Sequence, residues 1–372
     1  MSLILDGTTG VPVTTVTGTL PVANGGTGVT TAIDYGFRNR IINGAMVIDQ
    51  RNAGASITPT ASGTFTVDRW VCGLTQASKY SAQQSATAPT GFGFSLAITS
   101  TSAYSVLTGD AFLLQHKIEG FNTADLAWGT ASAQTITVSF WVRSSLTGTF
   151  GGSIQNSAQS RTYPFTYTIS SANTFEYKTV TIAGDTSGTW VGATNGIGLV
   201  LNLGLGCGAT FSGTAGSWAA GNYFSSTGAT SVVGTNGATF YITGVQLEKG
   251  STATSFDYRP YGTELALCQR YFIKTNPDNA SRCGGMWGSM LSTTSGHPTG
   301  SLPVAMRTAP TVVRGGTNDT FWVSGISATS AGTFSNFSST TITIDSEVTG
   351  MSTSAIGYPV QYNGQLSLSS EL

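Results

Sequence analysis

An all-β protein, built around an antiparallel β-sandwich of the jelly-roll kind, is what the sequence predicts, and three observations carry that expectation. Short segments alternate apolar and polar residues with period two and are bounded by Gly, Asn and Ser turns. The chain is rich in Thr and Val and holds 48 glycines, a composition that favours strands and turns over helices. Between residues 36 and 258 no long stretch keeps a helical period.

Taken in order, residues 1–35 are Thr/Val/Gly-rich and hold too little apolar material for a core, so they read as an extended N-terminal arm. Residues 36–258 read as the sandwich. In "TITVSFWVRSS" (135–145), Ile136, Val138, Phe140 and Val142 share one face, while Thr135, Thr137, Ser139, Trp141 and Arg143 share the other. "TFEYKTVTIAG" (174–184), "NGIGLVLNLGLG" (195–206) and "ATFYITGVQLEKG" (238–250) are further strands. Residues 259–372 read as a short helix followed by a smaller β domain. The helix lies in "YGTELALCQRYF" (261–272), where Thr263 is expected to cap and Leu265, Cys268, Tyr271 and Phe272 fall at helical spacing. The strands of the smaller domain include "TFWVSGI" and "TTITIDS", and no fixed repeat of a parallel β-helix is found.

Charge narrows the function classes. Only 9% of residues are Asp, Glu, Lys or Arg, against about 25% in ordinary soluble domains. The formal charge is −1, so no basic field exists to draw in nucleic acid or an anionic membrane. The polar surface must be largely hydroxyl, with few Lys or Arg to guard strand edges, and oligomerisation is one way to hide them. The start "MSLILDGTTG" has neither a basic n-region nor a long apolar run, and "GIGLVLNLGLG" is too short and glycine-rich for a membrane span. Cys72, Cys207, Cys268 and Cys283 form no CxxC pair and read as small buried apolar groups. His116 and His297 stand far apart, leaving little from which to build a zinc or Cys/His site. No cofactor is expected. A structural Ca²⁺ is compatible with sandwiches of this kind, but no EF-hand spacing names its ligands.

The segment "LPVANGGTGVT" (20–31) looks like a phosphate-cradling glycine loop, yet Pro12 and Pro21 interrupt any preceding central strand and no Gly-Lys-Ser/Thr or third fingerprint glycine follows. A nucleotide is therefore not expected there.

Several segments together resemble one family. "RNRIINGAMVIDQRNAG" (38–54), "FTVDRW" (65–70), "QHKIEG" (115–120), "TVSFWVRSS" (137–145), "TGVQLEKGSTATSFDYRPYGTELALCQRYF" (243–272) and "LPVAMRTAPTV" (302–312) look like tail-fibre and related receptor-binding proteins of tailed bacteriophages. "LPVANGGTG" is itself similar to an element near the N-termini of such fibres. The resemblance implies a homotrimeric virion appendage, made in the host cytoplasm and acting outside it. Its arm would attach to other virion proteins, and β-sandwich domains like those of carbohydrate-binding modules would face a bacterial surface polysaccharide. In that setting Val22 and Val29 could pack near a threefold axis while Gly25, Gly26 and Gly28 permit tight turns and close approach of three chains; the alternative is a flexible linker. The chain is short for a fibre, which leaves open a long tail fibre, a stubby spike or a head-mounted fibre.

Sugar binding rests on aromatic faces with hydroxyl, amide and charged groups setting orientation. Trp218 lies in "GTAGSWAAGNYFSS" (213–226), a loop that also holds Asn222 and Tyr223, and Trp190 lies in "DTSGTWVGATNG". Both suit a platform, and both equally suit a subunit interface or a cap on the core. Trp141 and Arg143 stand on the polar face of their strand, where a concave sheet offers a groove. Trp70 and Trp128 read as structural. Some phage spikes cleave polysaccharide with paired carboxylates about 5 to 10 Å apart. Asp110, Glu119, Asp125, Glu176, Asp185, Glu248 and Asp257 are the candidates, with Lys117, Lys249 or a nearby Arg as expected partners of Glu119 and Glu248. No G-x-S-x-G element is present. The expectation is a non-enzymatic glycan binder, with a depolymerase and a ligand-free connector as rivals.

Overall fold

The computed structural model describes residues 38–275 and, further on, 286–292, 295–297, 299–323, 328–330, 333–340, 343–349 and 359–372. The arm residues Val22, Gly25, Gly26, Gly28 and Val29 lie outside them, as does Cys283. The chain divides into two units, Met1–Arg38 and Asn39–Leu372, and the second holds the sandwich, the helix and the C-terminal sheet.

The sandwich strands are β1 (Thr64–Phe65), β2 (Trp70–Leu74), β3 (Tyr80–Ser85), β4 (Ser95–Ser100), β5 (Ala111–Glu119), β6 (Ile136–Ser144), β7 (Gly148–Gln155), β8 (Arg161–Ile169), β9 (Glu176–Ile182), β10 (Ile197–Cys207), β11 (Ser212–Gly213), β12 (Ala219–Ala220), β13 (Ser225–Ser226) and β14 (Thr239–Lys249). One sheet has the order β1-β2-β5-β10-β7-β8-β12 and the other β3-β4-β14-β6-β9, while β11 and β13 form a small parallel pair. All pairings within the two large sheets are antiparallel. The protein is thus an all-β sandwich.

The core lies between these sheets because the period-two alternation sends one apolar row from each strand inward. In β6, Ile136, Val138, Phe140 and Val142 are fully buried, and they meet Phe112 and Leu114 of β5, Phe150 of β7 and Leu201 and Leu203 of β10 in one cluster. Aromatic rings fill the wider gaps: Tyr167 lies 5.0 Å from Phe140 and 5.8 Å from Phe150. Burial pushes the Cys72 thiol up to about 12, so it behaves as a small apolar group, and Cys268 is buried in the same way.

The helix α1 spans Tyr261–Gln269 and buries Cys268 with Tyr271, Ile42 and Ile48. Its N-cap is Pro260 rather than Thr263, which lies inside the first turn and donates its N–H to the Pro260 carbonyl. The capping expectation fails because proline's extended backbone already sets the entry angle, with no side-chain cap. After it come β15 (Phe272–Lys274), β16 (Met286–Ser289), β17 (Thr299–Ser301), β18 (Thr311–Val323), β19 (Ala328–Ser330), β20 (Thr333–Thr340), β21 (Thr343–Thr349) and β22 (Pro359–Ser369). They form one antiparallel sheet ordered β19-β18-β22-β16-β17-β21-β20, with β15 also on β22.

Candidate functional site

The outer face of the five-stranded sheet gathers aromatic side chains around one cation. Because Val142 and Phe140 point into the core, Trp141 and Arg143 of β6 point outward. The register then sets their neighbours: Tyr241 of β14 stands opposite Arg143, Thr243 of β14 opposite Trp141, and Tyr177 of β9 opposite Trp141. The Trp141 and Tyr177 rings lie 5.4 Å apart at 49°, and Tyr177 is 43% exposed. The Arg143 guanidinium carbon sits 5.0 Å from the Tyr241 ring centroid and 5.9 Å from that of Phe175. Such a cation is attracted to the rings and is fixed by them.

On the central strand of this sheet, β14 bulges between Thr243 and Gln246. Gly244 takes φ +60 there, and a Cβ on it would come 2.6 Å from the Phe92 ring and 3.1 Å from Trp141. Glycine therefore lets Phe92 and Trp141 approach the same backbone. Phe92 in turn joins Phe256 and Tyr258 in a cluster with centroids 4.8 to 5.4 Å apart. Beside it opens a cleft of about 80 Å³ lined by Gly44, Gly91, Phe92, Asp257 and Arg259 among others.

The Trp190 and Trp218 candidates meet in a different place. Trp128, Trp190 and Trp218 form a closed edge-to-face triad with centroids 4.7, 5.3 and 5.5 Å apart, and Tyr163 adds a fourth ring 5.3 Å from Trp218. Each indole N–H is used within the chain: Trp128 donates to the Gln134 carbonyl, Trp218 to that of Ala183, and Trp190 to Asp185 and the Ser187 carbonyl. Trp190 and Trp218 are half-buried against the main core. Trp128 and Trp190 also border a smaller cavity of about 50 Å³. The side chain of Asn222 accepts from Gln155 and donates to Gln159. Tyr223 lies against Gly213 and Gly221, where a Cβ would come 2.7 and 2.8 Å from its ring. These four residues pack and bond within the loops of the chain, and no described ring contact or hydrogen bond joins them to Trp141 or Arg143.

The carboxylates are distributed rather than convergent. Asp110 accepts from Thr75, Tyr104 and the Leu107 N–H, and Asp125 takes both guanidinium arms of Arg40. Asp185 is held bidentately by Arg161, and Glu176 by Lys178 with the Ser170 and Ser171 N–H groups. Glu248 pairs with Gln246 and Thr254 rather than with Lys249, which reaches Asp125 at 3.7 Å. Glu119 pairs with Arg270 and the Tyr271 hydroxyl rather than with Lys117; burial opposes its charge, yet those hydrogen bonds hold its carboxyl below the usual range. Asp257 accepts from the Asn39 N–H. Burial raises Asp68 to about 6, and its oxygens accept from Gln50 and Arg51. Among the described residues no three His, Cys, Asp or Glu side chains converge as a metal site would require.

Four of the segments behind the family resemblance, 38–54, 65–70, 115–120 and 243–272, build the framework under α1. Asn43 ties Ile48 and the Asp68 carbonyl together and accepts the Trp70 indole N–H on its own carbonyl. His116, fully buried, donates to the Ile42 carbonyl, and burial pulls it down to about 3. Arg259 bonds the Ile41 carbonyl and Glu264. Each of these four supplies a piece of one hydrogen-bonded joint, whereas 137–145 runs along strand β6.

No family model matches the sequence, and no curated protein matches it. Among solved structures, the enzymatically active domain of tailspike protein 4 of bacteriophage CBA120 aligns at 13% identity over 57% of this chain, with a TM-score of 0.29; the chain spans only 21% of that protein. The family 11 carbohydrate-binding module of Clostridium thermocellum, solved with a β-1,3-1,4-mixed-linked tetrasaccharide, aligns at 10% identity, covering 51% of this chain and 91% of the module, with a TM-score of 0.26. The CBM22-1–GH10 modules of xylanase 10B from the same organism, complexed with xylohexaose, align at 11% identity over 58% of this chain and 32% of theirs, with a TM-score of 0.28.

Proposed function

We propose that this chain is the glycan-binding subunit of a homotrimeric phage tail fibre or spike, and that it recognises a bacterial surface polysaccharide without cleaving it. The observation that carries the proposal is the outer face of the five-stranded sheet. Trp141, Tyr177, Tyr241 and Phe175 offer ring faces for pyranose C–H groups, with Arg143 among them to fix orientation. The sequence resemblance to tail fibres supplies the virion setting, with the N-terminal arm attached to the particle. An open face of this kind binds weakly at each site, and three copies on one fibre, many fibres on one particle, raise the avidity. Non-cleavage is supported by the candidate carboxylates among the described residues, Asp110, Glu119, Asp125, Glu176, Asp185, Glu248 and Asp257, each of which has a partner within the chain.

The test is to incubate labelled protein with host cells and with their extracted polysaccharide, then measure bound signal and sugar chain length. Binding with unchanged chain length is expected. Shortened chains would move the depolymerase ahead, and absence of binding to any strain would leave a ligand-free connector.

A further inference from the structure

In a chain this poor in charge, arginines are placed with acceptors. Arg40 grips Asp125, Arg51 and Arg69 reach Glu371, Arg161 grips Asp185, Arg259 meets Glu264 and Arg270 grips Glu119. Arg307 spends its donors on the Asn195, Ser370 and Glu371 carbonyls. Arg143 differs. Its side chain's only partners among the described residues are the rings of Tyr241 and Phe175; the buried Nε lacks an acceptor as it does in Arg40, Arg69 and Arg259, but only in Arg143 does no carboxylate or carbonyl take up the rest of the fork.

A second orphan lies diagonally across the same face. Thr243, opposite Trp141 on β14, is fully buried, and its Oγ1 has no partner. Buried donors without acceptors are rare and costly, and a guanidinium is a fork of five N–H groups shaped for a carboxylate or phosphate. Among the described residues no carboxylate meets it. Glu176 stands opposite Val142, in phase with the core side of β6, and pairs with Lys178; Glu248, further along β14, is occupied by Gln246 and Thr254.

Resting on the glycan-binding function proposed above, we infer that this face takes an acidic glycan, one whose sugar carries an oxyanion. The sugar ring lies along Trp141 and Tyr177, and the oxyanion accepts from Arg143. The guanidinium, with no carboxylate partner among the described residues, then acts as the specificity-determining group, because a neutral sugar offers it only hydroxyl oxygens while an oxyanion accepts in a charge-assisted, fork-shaped pair. The shared chemistry covers a uronic-acid carboxylate and a sugar phosphate alike.

The experiment uses the full chain and the polysaccharide extracted from a strain that the protein labels. Affinity is measured for three forms of that polysaccharide: native, carboxyl-reduced, and dephosphorylated with cold hydrofluoric acid. The wild type should lose about thirtyfold in affinity on one of the two treatments, carboxyl reduction marking a uronic acid and dephosphorylation a phosphate. Arg143→Gln should bind the native form as weakly as the wild type binds the treated one, and should be indifferent to the treatment. Trp141→Ala should lose all forms together. Equal affinity of the wild type for all three forms, with Arg143→Gln unchanged and Trp141→Ala inactive, would overturn the acidic class and leave the sheet face as the glycan site. Intact binding by Trp141→Ala with a normal melting temperature would overturn the sheet face, and this inference with it.

Discussion

Trp218→Ala separates a packing role from a ligand role. The indole is half-buried against Trp128, Trp190 and Tyr163 and donates a 2.8 Å hydrogen bond to the Ala183 carbonyl. A fully buried Trp→Ala change costs about 3 to 5 kcal/mol, so a half-buried one costs about 2. The lost hydrogen bond adds about 1 kcal/mol. The sum, about 3 kcal/mol, corresponds to a fall in Tm of roughly 6 to 12 °C for a domain of this size. Calorimetry of Trp218→Ala beside Trp218→Phe, which keeps most of the ring contacts but not the N–H, apportions the two terms. Both variants should still adsorb to host cells well below their Tm. A Trp218→Ala protein that melts within about 1 °C of wild type yet no longer binds cells would refute the packing argument and make Trp218 a ligand platform.

The remaining predictions concern the β14 bulge and the joint beneath α1. Gly244→Ala places a Cβ against Phe92 and Trp141 at φ +60, and should cost about 2 kcal/mol in urea melts while weakening polysaccharide binding; an unaffected affinity would detach Phe92 from the site. Arg270→Met strands the buried Glu119 carboxylate and should cost about 2 to 3 kcal/mol, whereas Arg270→Met with Glu119→Leu should recover much of it; equal losses in both would show that the ion pair itself, not the stranded charge, sets the stability. His116 stands near 3 in the fold and near 6.5 unfolded, so its contribution is complete above pH 6.5 and is lost as pH falls toward 3. His116→Gln should therefore flatten the acid side of a urea-midpoint profile, and an unaltered slope would refute the assignment. Asp68, raised by burial to about 6, contributes in the opposite sense, its share complete below pH 4 and lost as pH rises through 6.

What the sequence determined by itself was the local alternation. Ile136, Val138, Phe140 and Val142 could be assigned to one face of a strand because side-chain direction in a strand depends only on parity, and that assignment sent Trp141 and Arg143 outward before any partner strand was known. The long strands β10 and β14 were legible for the same reason, and the β class followed from composition. Strands β7 and β8 were not singled out, since "GTFGGSIQ" is half glycine and serine and "RTYPFTYTI" carries a proline. What only the tertiary structure decided was which distant residues meet. Trp128, Trp190 and Trp218 come from separate loops and close on one another; Glu119 finds Arg270 across 151 residues instead of its neighbour Lys117. Tyr241 and Tyr177 reach Trp141 and Arg143 only through the β14-β6-β9 register, and Arg143 is seen to lack an acceptor only once every strand beside it is in place. Parity is a property of one strand, whereas register and long-range pairing minimise the free energy of the whole core, and no single segment encodes them.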